Sequence, residues 1–302
     1  MNEPWSRYLK SYKTYLRLEK GLSKNTINAY LSDLLNFTDY LVKQEKSLSP
    51  QQVSLNDLTH FLAYINDKGL KPRSQARLIS GVRAFYRYLL LEEAIEHDPS
   101  ELLEMPRLGK KLPDTLSEEE IDGLISTIDM STPNGERNKV MLEMLYSCGL
   151  RVSELVDLKI SSLYWNDAFI RIIGKGNKER LVPVSAYALK LIKDYLTRVR
   201  SKQKINKGSE DFVFLNNRGK PLTRVMVFTI VKQLAVQRGL KKSISPHTFR
   251  HSFATHLIQN GADLRAVQEM MGHESITTTE IYTHLDRKFL FDTVLKYHPR
   301  SK

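Results

Sequence analysis

The chain has 302 residues, a length that favours two domains over a single core. Its 41% hydrophobic residues argue against intrinsic disorder, and its 46 Lys and Arg against 34 Asp and Glu, a formal charge of +12, indicate a polyanionic partner such as nucleic acid. The charged first residues, the lack of a long apolar run and a single cysteine, Cys148, predict a cytoplasmic protein without a signal peptide, membrane span, disulfide or multi-cysteine zinc site.

Residues 1–105 are predicted to form an all-helical domain. Apolar residues at helical spacing predict three helices, over residues 23–43, 56–66 and 72–92. Ser23 is placed to cap the first of them. Residues 106–114 (PRLGKKLPD) hold two prolines and a glycine, which predicts an exposed linker. The basic excess lies mostly beyond it, because residues 1–105 carry 14 basic and 13 acidic side chains and residues 115–302 carry 29 and 20.

The predicted helix over residues 72–92 has a one-sided basic stripe. Six basic residues and no acidic one lie between Lys68 and Arg87. At about 100° per residue, four arginines fall within an arc of roughly 120°. These four are Arg73, Arg77, Arg83 and Arg87. A solvated charged face is the alternative, but the lack of interleaved acids favours contact with DNA phosphates.

Residues 115–302 are predicted to be mostly helical with one small antiparallel sheet. A capping box, Ser117 to Glu120, opens the domain. Helices are predicted over residues 117–128, 137–148, 185–200, 222–238, 247–260, 263–271 and 275–282. Two strand-like runs, FIRII and LVPV, flank the turn GKGNKE and predict a hairpin. Its tip carries Lys175 and Lys178, and the same turn places both lysines where they could reach a DNA groove.

Two short stretches of this domain suit an anion. Arg151 follows Gly149, which breaks one helix, so Arg151 starts the next and adds its charge to the free backbone donors there. An ordinary surface arginine is the alternative. Lys175 lies between two glycines and could place its ammonium on a phosphate oxygen or donate a proton to it. The alternative is a turn lysine that serves solubility.

A third stretch, PHTFRHSFATHL, combines imidazole and guanidinium groups. His247 and Arg250 are three residues apart and share a helix face, with His251 one position on. The pattern is not H-E-x-x-H, and Arg250 would repel a cation, so no metal site is predicted. An imidazole beside a guanidinium instead suits an anion that needs charge neutralisation and proton transfer. His273 and Tyr282 complete the set further along the chain.

The order of these residues and the sequence motifs around them closely resemble those of the tyrosine site-specific recombinases, also called the phage-integrase family. The resemblance rests on GLRVSEL, GKGNKER, PHTFRHSFATHL, MGHESITTTEIYTH and the closing YHPR, and it is strongest to the bacterial Xer recombinases. GLSKNTINAYLSDL and RSQARLISGVRAFYRYLL resemble their core-binding domain, so the resemblance covers nearly the whole chain. Met271 stands where many relatives have leucine, a volume-conserving difference.

The resemblance implies a mainly α fold with a small antiparallel β-sheet, arranged as a two-domain, C-shaped DNA clamp. Residues 1–105 would form the helical, SAM-like core-binding domain, 106–114 the linker and 115–302 the catalytic domain. The implied activity is cutting and rejoining of DNA through a 3′-phosphotyrosyl intermediate and a four-way junction. The implied role is the resolution of chromosome dimers before segregation at cell division.

The resemblance also implies a role for each matched residue. Tyr282 would be the nucleophile, and Arg151 and Arg250 would hold the non-bridging oxygens of the scissile phosphate. Lys175 would protonate the leaving 5′-oxygen, and His247 would either act as general acid or base for the tyrosine or assist the arginines. The last of the six, His273, would hydrogen-bond the phosphate.

Several expectations concern partners and cofactors. No nucleotide cofactor is expected, because the covalent link conserves the energy of the phosphodiester bond. No metal is expected either, because the sequence has no cluster of acids to hold magnesium. The expected partners are a double-stranded recombination site and four protomers, of one or two kinds, on two duplexes, with an activating partner in addition. The segment after Tyr282 is expected to dock on a neighbouring protomer, although packing on its own domain fits the sequence equally well. An integrase or resolvase of a mobile element is the near alternative, and a non-catalytic DNA clamp is the distant one.

Overall fold

A computed structural model of the chain describes residues 3–107, 109, 114–174, 179–272 and 284–301. The chain divides into two units, Met1–Lys111 and Leu112–Lys302. The predicted fold class is confirmed in its secondary structure, since the chain is mostly helical and contains one three-stranded antiparallel sheet. Within the described ranges, no helix is long and apolar enough to cross a lipid bilayer.

The described part of the first unit contains four α-helices around an aromatic core. They are α1 (Glu3–Leu18), α2 (Lys24–Lys43), α3 (Leu55–Asp67) and α4 (Pro72–Leu91). As predicted, the Ser23 hydroxyl caps α2 by accepting from the Thr26 amide at 3.3 Å. The indole ring of Trp5 stacks on Phe85 and meets Phe37 edge-on, so α1 is fixed against α2 and α4 by ring packing.

Helix α4 buries the face that its sequence predicts. Leu78, Val82, Phe85 and Leu89 are at most 3% exposed, which places the four arginines of the basic stripe away from the core. Burial of an apolar side chain of this size contributes about 2 kcal/mol, so these four hold α4 against the unit.

The second unit holds the remaining helices and the sheet. Its helices are α5 (Glu118–Ser126), α6 (Pro133–Ser147), α7 (Val152–Val156), α8 (Ala186–Arg198), α9 (Arg224–Gln237), α10 (Pro246–Gln259), α11 (Leu264–Met271) and α12 (His284–Tyr297). The capping box that begins α5 is confirmed: the Ser117 amide donates to the Glu120 carboxylate at 2.8 Å and the Ser117 hydroxyl accepts in return at 3.2 Å. The helix predicted over residues 275–282 lies outside the described residues.

The sheet has the order β1-β2-β3, with β1 at Leu163–Tyr164, β2 at Phe169–Ile173 and β3 at Glu179–Pro183. The predicted hairpin is confirmed as β2 and β3, and β1 is an additional short strand. Ile172 pairs with Arg180, and Ile170 pairs with Val182. Because these four side chains share one face of the sheet, Arg180 points into the core of the unit along with three aliphatic neighbours.

The C-terminal helix packs on its own unit in this structure. Leu290 and Val294 of α12 are 1% exposed and belong to the hydrophobic core of the second unit. Beyond α12, His298 is fully buried, and the Arg300 guanidinium donates to the Glu143 carboxylate at 3.0 Å. The closing YHPR stretch is therefore an integral part of the fold.

Candidate active site

Arg151 is positioned by a sharp break between two helices. Helix α6 ends at Ser147 with Cys148 as its C-cap residue, and Gly149 turns the chain with φ +56°. Helix α7 begins at Val152 with Arg151 as its N-cap residue. A Cβ on Gly149 would lie 2.5 Å from the ring of Phe253, so only glycine fits this turn. The predicted start of a helix at Arg151 is thus confirmed.

Arg250 is placed by α10. The apolar side chains predicted to face the core, Phe249, Phe253 and Leu257, are at most 1% exposed. Arg250 is 5% exposed, and its guanidinium donates to the Gly149 carbonyl at 2.6 Å and to the Met271 carbonyl. One side chain therefore ties the turn before α7 to the end of α11.

The carboxylate of Glu154 lies between three guanidinium groups of the described residues. Arg151 donates to it at 2.8 Å, and Arg180 donates to both of its oxygens at 2.7 Å. Arg250 Nη1 lies 3.9 Å from the nearer oxygen. Three guanidinium groups around one carboxylate give the cluster a net charge of two positive units, which favours the binding of an anion.

Backbone carbonyls complete the cluster. The Arg151 guanidinium donates to the Gly272 carbonyl at 3.0 Å, next to the Met271 carbonyl that Arg250 uses. Gly272 has φ +62° and ends α11 in the left-handed conformation. The arginines thus fix the corner that directly precedes His273.

The cluster shifts the pKa values of its members. Burial acts to raise the pKa of Glu154, but hydrogen bonds and charge from Arg180, with bonds from Arg151, lower it to about 2. Burial and the Arg151 charge lower the pKa of Arg250 to about 9, which leaves it protonated at neutral pH. Desolvation and the charges of His251, Arg250 and Arg151 lower the pKa of His247, which favours its neutral form.

The structure brings three of the six predicted catalytic residues together. The charges of Arg151 and Arg250 both lower the pKa of His247, which places the three side chains near one another. The Arg151 side chain is 36% exposed and therefore open to a ligand. The other predicted site residues lie outside the described residues, namely Lys175, Lys178, His273 and Tyr282. The roles of all six residues stay predictions. A rigid guanidinium pair beside a neutral imidazole can bind a phosphate diester and accept a proton near it.

The four arginines predicted to contact DNA on α4 differ in their surroundings. Arg73 and Arg87 are exposed. Arg77 pairs with the buried Asp33 carboxylate at 2.6 Å. Arg83 donates to three backbone carbonyls, those of Ser100, Glu101 and Leu103. Arg73 and Arg87 are accordingly the better candidates for phosphate contact. Arg83 holds the end of the first unit in place.

The sequence patterns did not single out Glu154 or Arg180. Both lie inside quoted motifs, Glu154 in GLRVSEL and Arg180 in GKGNKER, yet neither received a role. The alternation of side chains along the strand could have revealed Arg180, because it lies on the same face as the apolar Val182. A charged residue on a buried face must have a partner.

Family models and curated relatives match this chain over most of its length. The family model "Phage integrase family" matches residues 114–288, and "Phage integrase, N-terminal SAM-like domain" matches residues 9–93. The tyrosine recombinase XerD of Listeria innocua is 45% identical over 287 residues, covering 95% of this chain and 97% of the relative. That of Chlorobaculum tepidum is 43% identical over 302 residues, covering 99% and 98%.

Two solved structures are similar in fold. The XerH site-specific recombinase, bound to a palindromic difH substrate in a post-cleavage complex, superposes with a TM-score of 0.69 at 28% identity, covering 95% of this chain and 83% of that one. A lambda integrase dimer bound to a core site gives 0.69 at 18% identity, covering 91% and 98%. At that identity the likeness to the lambda integrase concerns the fold alone.

Proposed function

The chain belongs to the phage integrase family of tyrosine recombinases, and from this we propose that it cuts and rejoins DNA at a specific site through a 3′-phosphotyrosyl intermediate and a four-way junction. The observation that carries the proposal is the cluster in which Arg151, Arg180 and Arg250 surround Glu154 and leave two positive charges for a phosphate. The relatives named XerD match over nearly their whole length, which supports the Xer type and, with it, chromosome-dimer resolution before cell division in the cytoplasm.

The proposed reaction exchanges one phosphodiester for another. The Tyr282 oxygen attacks the scissile phosphorus, the bond to the 5′-oxygen breaks, and the leaving oxygen takes a proton from Lys175. His247 accepts the tyrosine proton, for which its lowered pKa suits it because the imidazole is neutral at neutral pH. His273 hydrogen-bonds the phosphate. The second half of the reaction reverses these transfers with a different 5′-hydroxyl.

The arginine pair supplies the electrostatic part of catalysis. Arg151 and Arg250 hold the two non-bridging oxygens, and their charge is worth most when a fifth oxygen adds negative charge to phosphorus. Because both guanidinium groups are already fixed by carbonyls and by Glu154, little reorganisation is needed when the phosphate arrives. Loss of one preorganised donor typically costs roughly a hundredfold to a thousandfold in rate.

The proposed partners are a duplex recombination site and further protomers. Four protomers of one or two kinds on two duplexes would provide the strand exchanges, as the resemblance implies. The XerH relative was solved with a substrate called difH, which supports a defined recombination site as substrate. A mobile-element integrase with the same chemistry is the second candidate, and the two are separated by the site on which the protein acts.

The test uses a nicked suicide duplex that carries a candidate chromosomal recombination site, incubated with the protein in EDTA. We expect a covalent protein–DNA band on a denaturing gel, and its loss in Tyr282→Phe with unchanged affinity for the duplex. The matched control, Tyr187→Phe, removes an exposed hydroxyl on α8 and should keep the band. Binding without any covalent band on chromosomal or mobile-element sites would contradict the proposal and favour a non-catalytic clamp.

A further inference from the structure

Arg180 is a buried member of the arginine cluster, as Arg250 is. It is 6% exposed and lies on the core face of β3, opposite Ile172. Its Nη1 and Nη2 donate to the two carboxylate oxygens of Glu154, each at 2.7 Å, and its Nε donates to the Met270 carbonyl at 2.9 Å. All three nitrogens thus have partners inside the protein, so Arg180 is not placed to hold the substrate.

The charge balance of the site depends on this fork. Glu154 also accepts from Arg151 at 2.8 Å and lies 3.9 Å from Arg250. A buried carboxylate without a bidentate partner takes the nearest available cation, because an unpaired buried charge costs several kcal/mol. Without Arg180, that cation would be Arg151 or Arg250. The arginine would then pair with Glu154 and would no longer stabilise the phosphate.

The same side chain connects three segments that bear on the reaction. Arg180 is part of β3, which follows Lys175 by a few residues in the sequence. Through Glu154 it reaches the start of α7, and through the Met270 carbonyl it reaches the end of α11. A Cβ on Gly272 would lie 3.1 Å from the Arg180 Cδ, so the corner before His273 also rests directly on this side chain.

From this geometry we propose that Arg180 is a positioning residue for strand cleavage. It neutralises Glu154 so that Arg151 and Arg250 keep their charge for the scissile phosphate, and it anchors the hairpin to the end of α11. The proposal rests on the proposed function and adds to it a residue that acts through the arginine pair without contacting DNA.

The experiment compares cleavage rates on the nicked duplex at saturating protein, alongside DNA affinity and melting temperature. Arg180→Met should slow cleavage by roughly a hundredfold with affinity within threefold of wild type, since the preorganised arginine pair is disturbed but the DNA-binding surface is not. The matched control is Arg200→Met, which removes another buried arginine of the same unit. Arg200 donates to the carbonyls of Ser209, Glu210 and Phe212, so the control should lower the melting temperature comparably and cleave within threefold of wild type.

A second substitution separates charge balance from ordinary loss of stability. In the Arg180→Met background, Glu154→Gln removes the unpaired carboxylate, and cleavage should recover by at least about tenfold over Arg180→Met alone. A merely structural role for Arg180 predicts the reverse, because a second change in a damaged core adds to the damage. If Arg180→Met does not fold, Arg180→Lys serves in its place: one ammonium cannot make the same fork, and we expect cleavage about tenfold slower at unchanged affinity.

The outcomes distinguish the two proposals. A wild-type chain that forms no covalent adduct on any site overturns the proposed function and the role of Arg180 with it. A wild-type chain that does form the adduct, with Arg180→Met or Arg180→Lys cleaving at the wild-type rate, overturns the role of Arg180 alone. The same holds if the double variant cleaves no faster than Arg180→Met.

Discussion

His298, in the closing YHPR stretch, should make the second unit sensitive to mild acid. Its ring is fully buried between Tyr146 and Phe253, at centroid distances of 4.8 and 5.3 Å. Its Nδ1 accepts from the Arg300 amide at 3.1 Å, and its Nε2 has no partner within the described part of the chain. Burial first, and then the charges of Arg300 and His256, lower its pKa from 6.5 to about 3.

The pKa shift sets the sign and size of the effect. Above pH 6.5 the His298 imidazole is neutral in both states, so its contribution to stability is complete. As the pH falls below 6.5 the unfolded chain binds a proton that the folded chain does not bind until about pH 3. Each pH unit in that window lowers the free energy of unfolding by about 1.4 kcal/mol, which amounts to about 3 kcal/mol by pH 4.5.

The assay is urea unfolding at a series of pH values, with the substitution His298→Asn. Trp165 reports on the second unit once Trp5, in the first unit, is replaced by phenylalanine. Asparagine keeps an acceptor for the Arg300 amide but does not titrate, so the stability difference between wild type and variant should shrink by about 3 kcal/mol from pH 7.5 to 4.5. His251→Asn, at an exposed position on α10, is the control. A difference that stays constant within about 0.5 kcal/mol over this range would refute the reasoning.

Three further predictions address other contacts. Gly272→Ala should destabilise the second unit and slow cleavage, because its φ of +62° and its close packing against Arg180 both exclude a Cβ. Gly239→Ala, at φ +71° with open space around it, should cost only about 1 kcal/mol of stability. Melting temperatures and cleavage rates of the two variants test the difference. Arg300→Ala strands the buried Glu143 carboxylate and should cost about 3 kcal/mol in urea unfolding, with partial relief from adding Glu143→Gln. Arg87→Ala should weaken DNA binding and reduce its salt slope by about one, and an unchanged slope would return Arg87 to an ordinary surface role.

The helices of the second unit show how far periodicity alone can lead. In α10 the spacing of Phe249, Phe253 and Leu257 predicts the buried face correctly, because three apolar residues at helical intervals leave little choice of orientation. In α6 the predicted start at residue 137 is four residues late. Pro133 at the first turn and Thr132 as N-cap form the true beginning, where the apolar pattern is weak.

The basic stripe of α4 shows a limit of the same reasoning. Helical geometry correctly places its arginines on one side, away from Leu78 and Phe85. It cannot reveal that the segment after the helix returns along that side, where Arg83 donates to backbone carbonyls. Nor can it show that Asp33, from α2, pairs with Arg77. Such partners are distant in sequence, and only the packed unit brings them together.

Arg180 was missed for a related reason. The second strand was predicted as LVPV, which starts one residue after it, so the pairing of Arg180 with Ile172 was not anticipated. Strand register depends on the turn, and a shift of one residue would move Arg180 to the opposite face. The catalytic motif residues, in contrast, were found through their resemblance to a family, which requires no knowledge of register.

The presence of a carboxylate among the three arginines is consistent with a site tuned to the transition state. A phosphate diester carries one negative charge, and the pentavalent arrangement that follows attack carries two. Glu154 reduces the charge of the cluster from three to two, so the remaining positive charge matches the transition state more closely than the ground state. Three unopposed guanidinium groups would bind the uncleaved diester more tightly and thereby gain nothing in rate. On this argument Glu154 sets the charge of the site, and Arg180 keeps Glu154 from drawing on Arg151 or Arg250, which is why the effects of removing Glu154 and Arg180 should be non-additive.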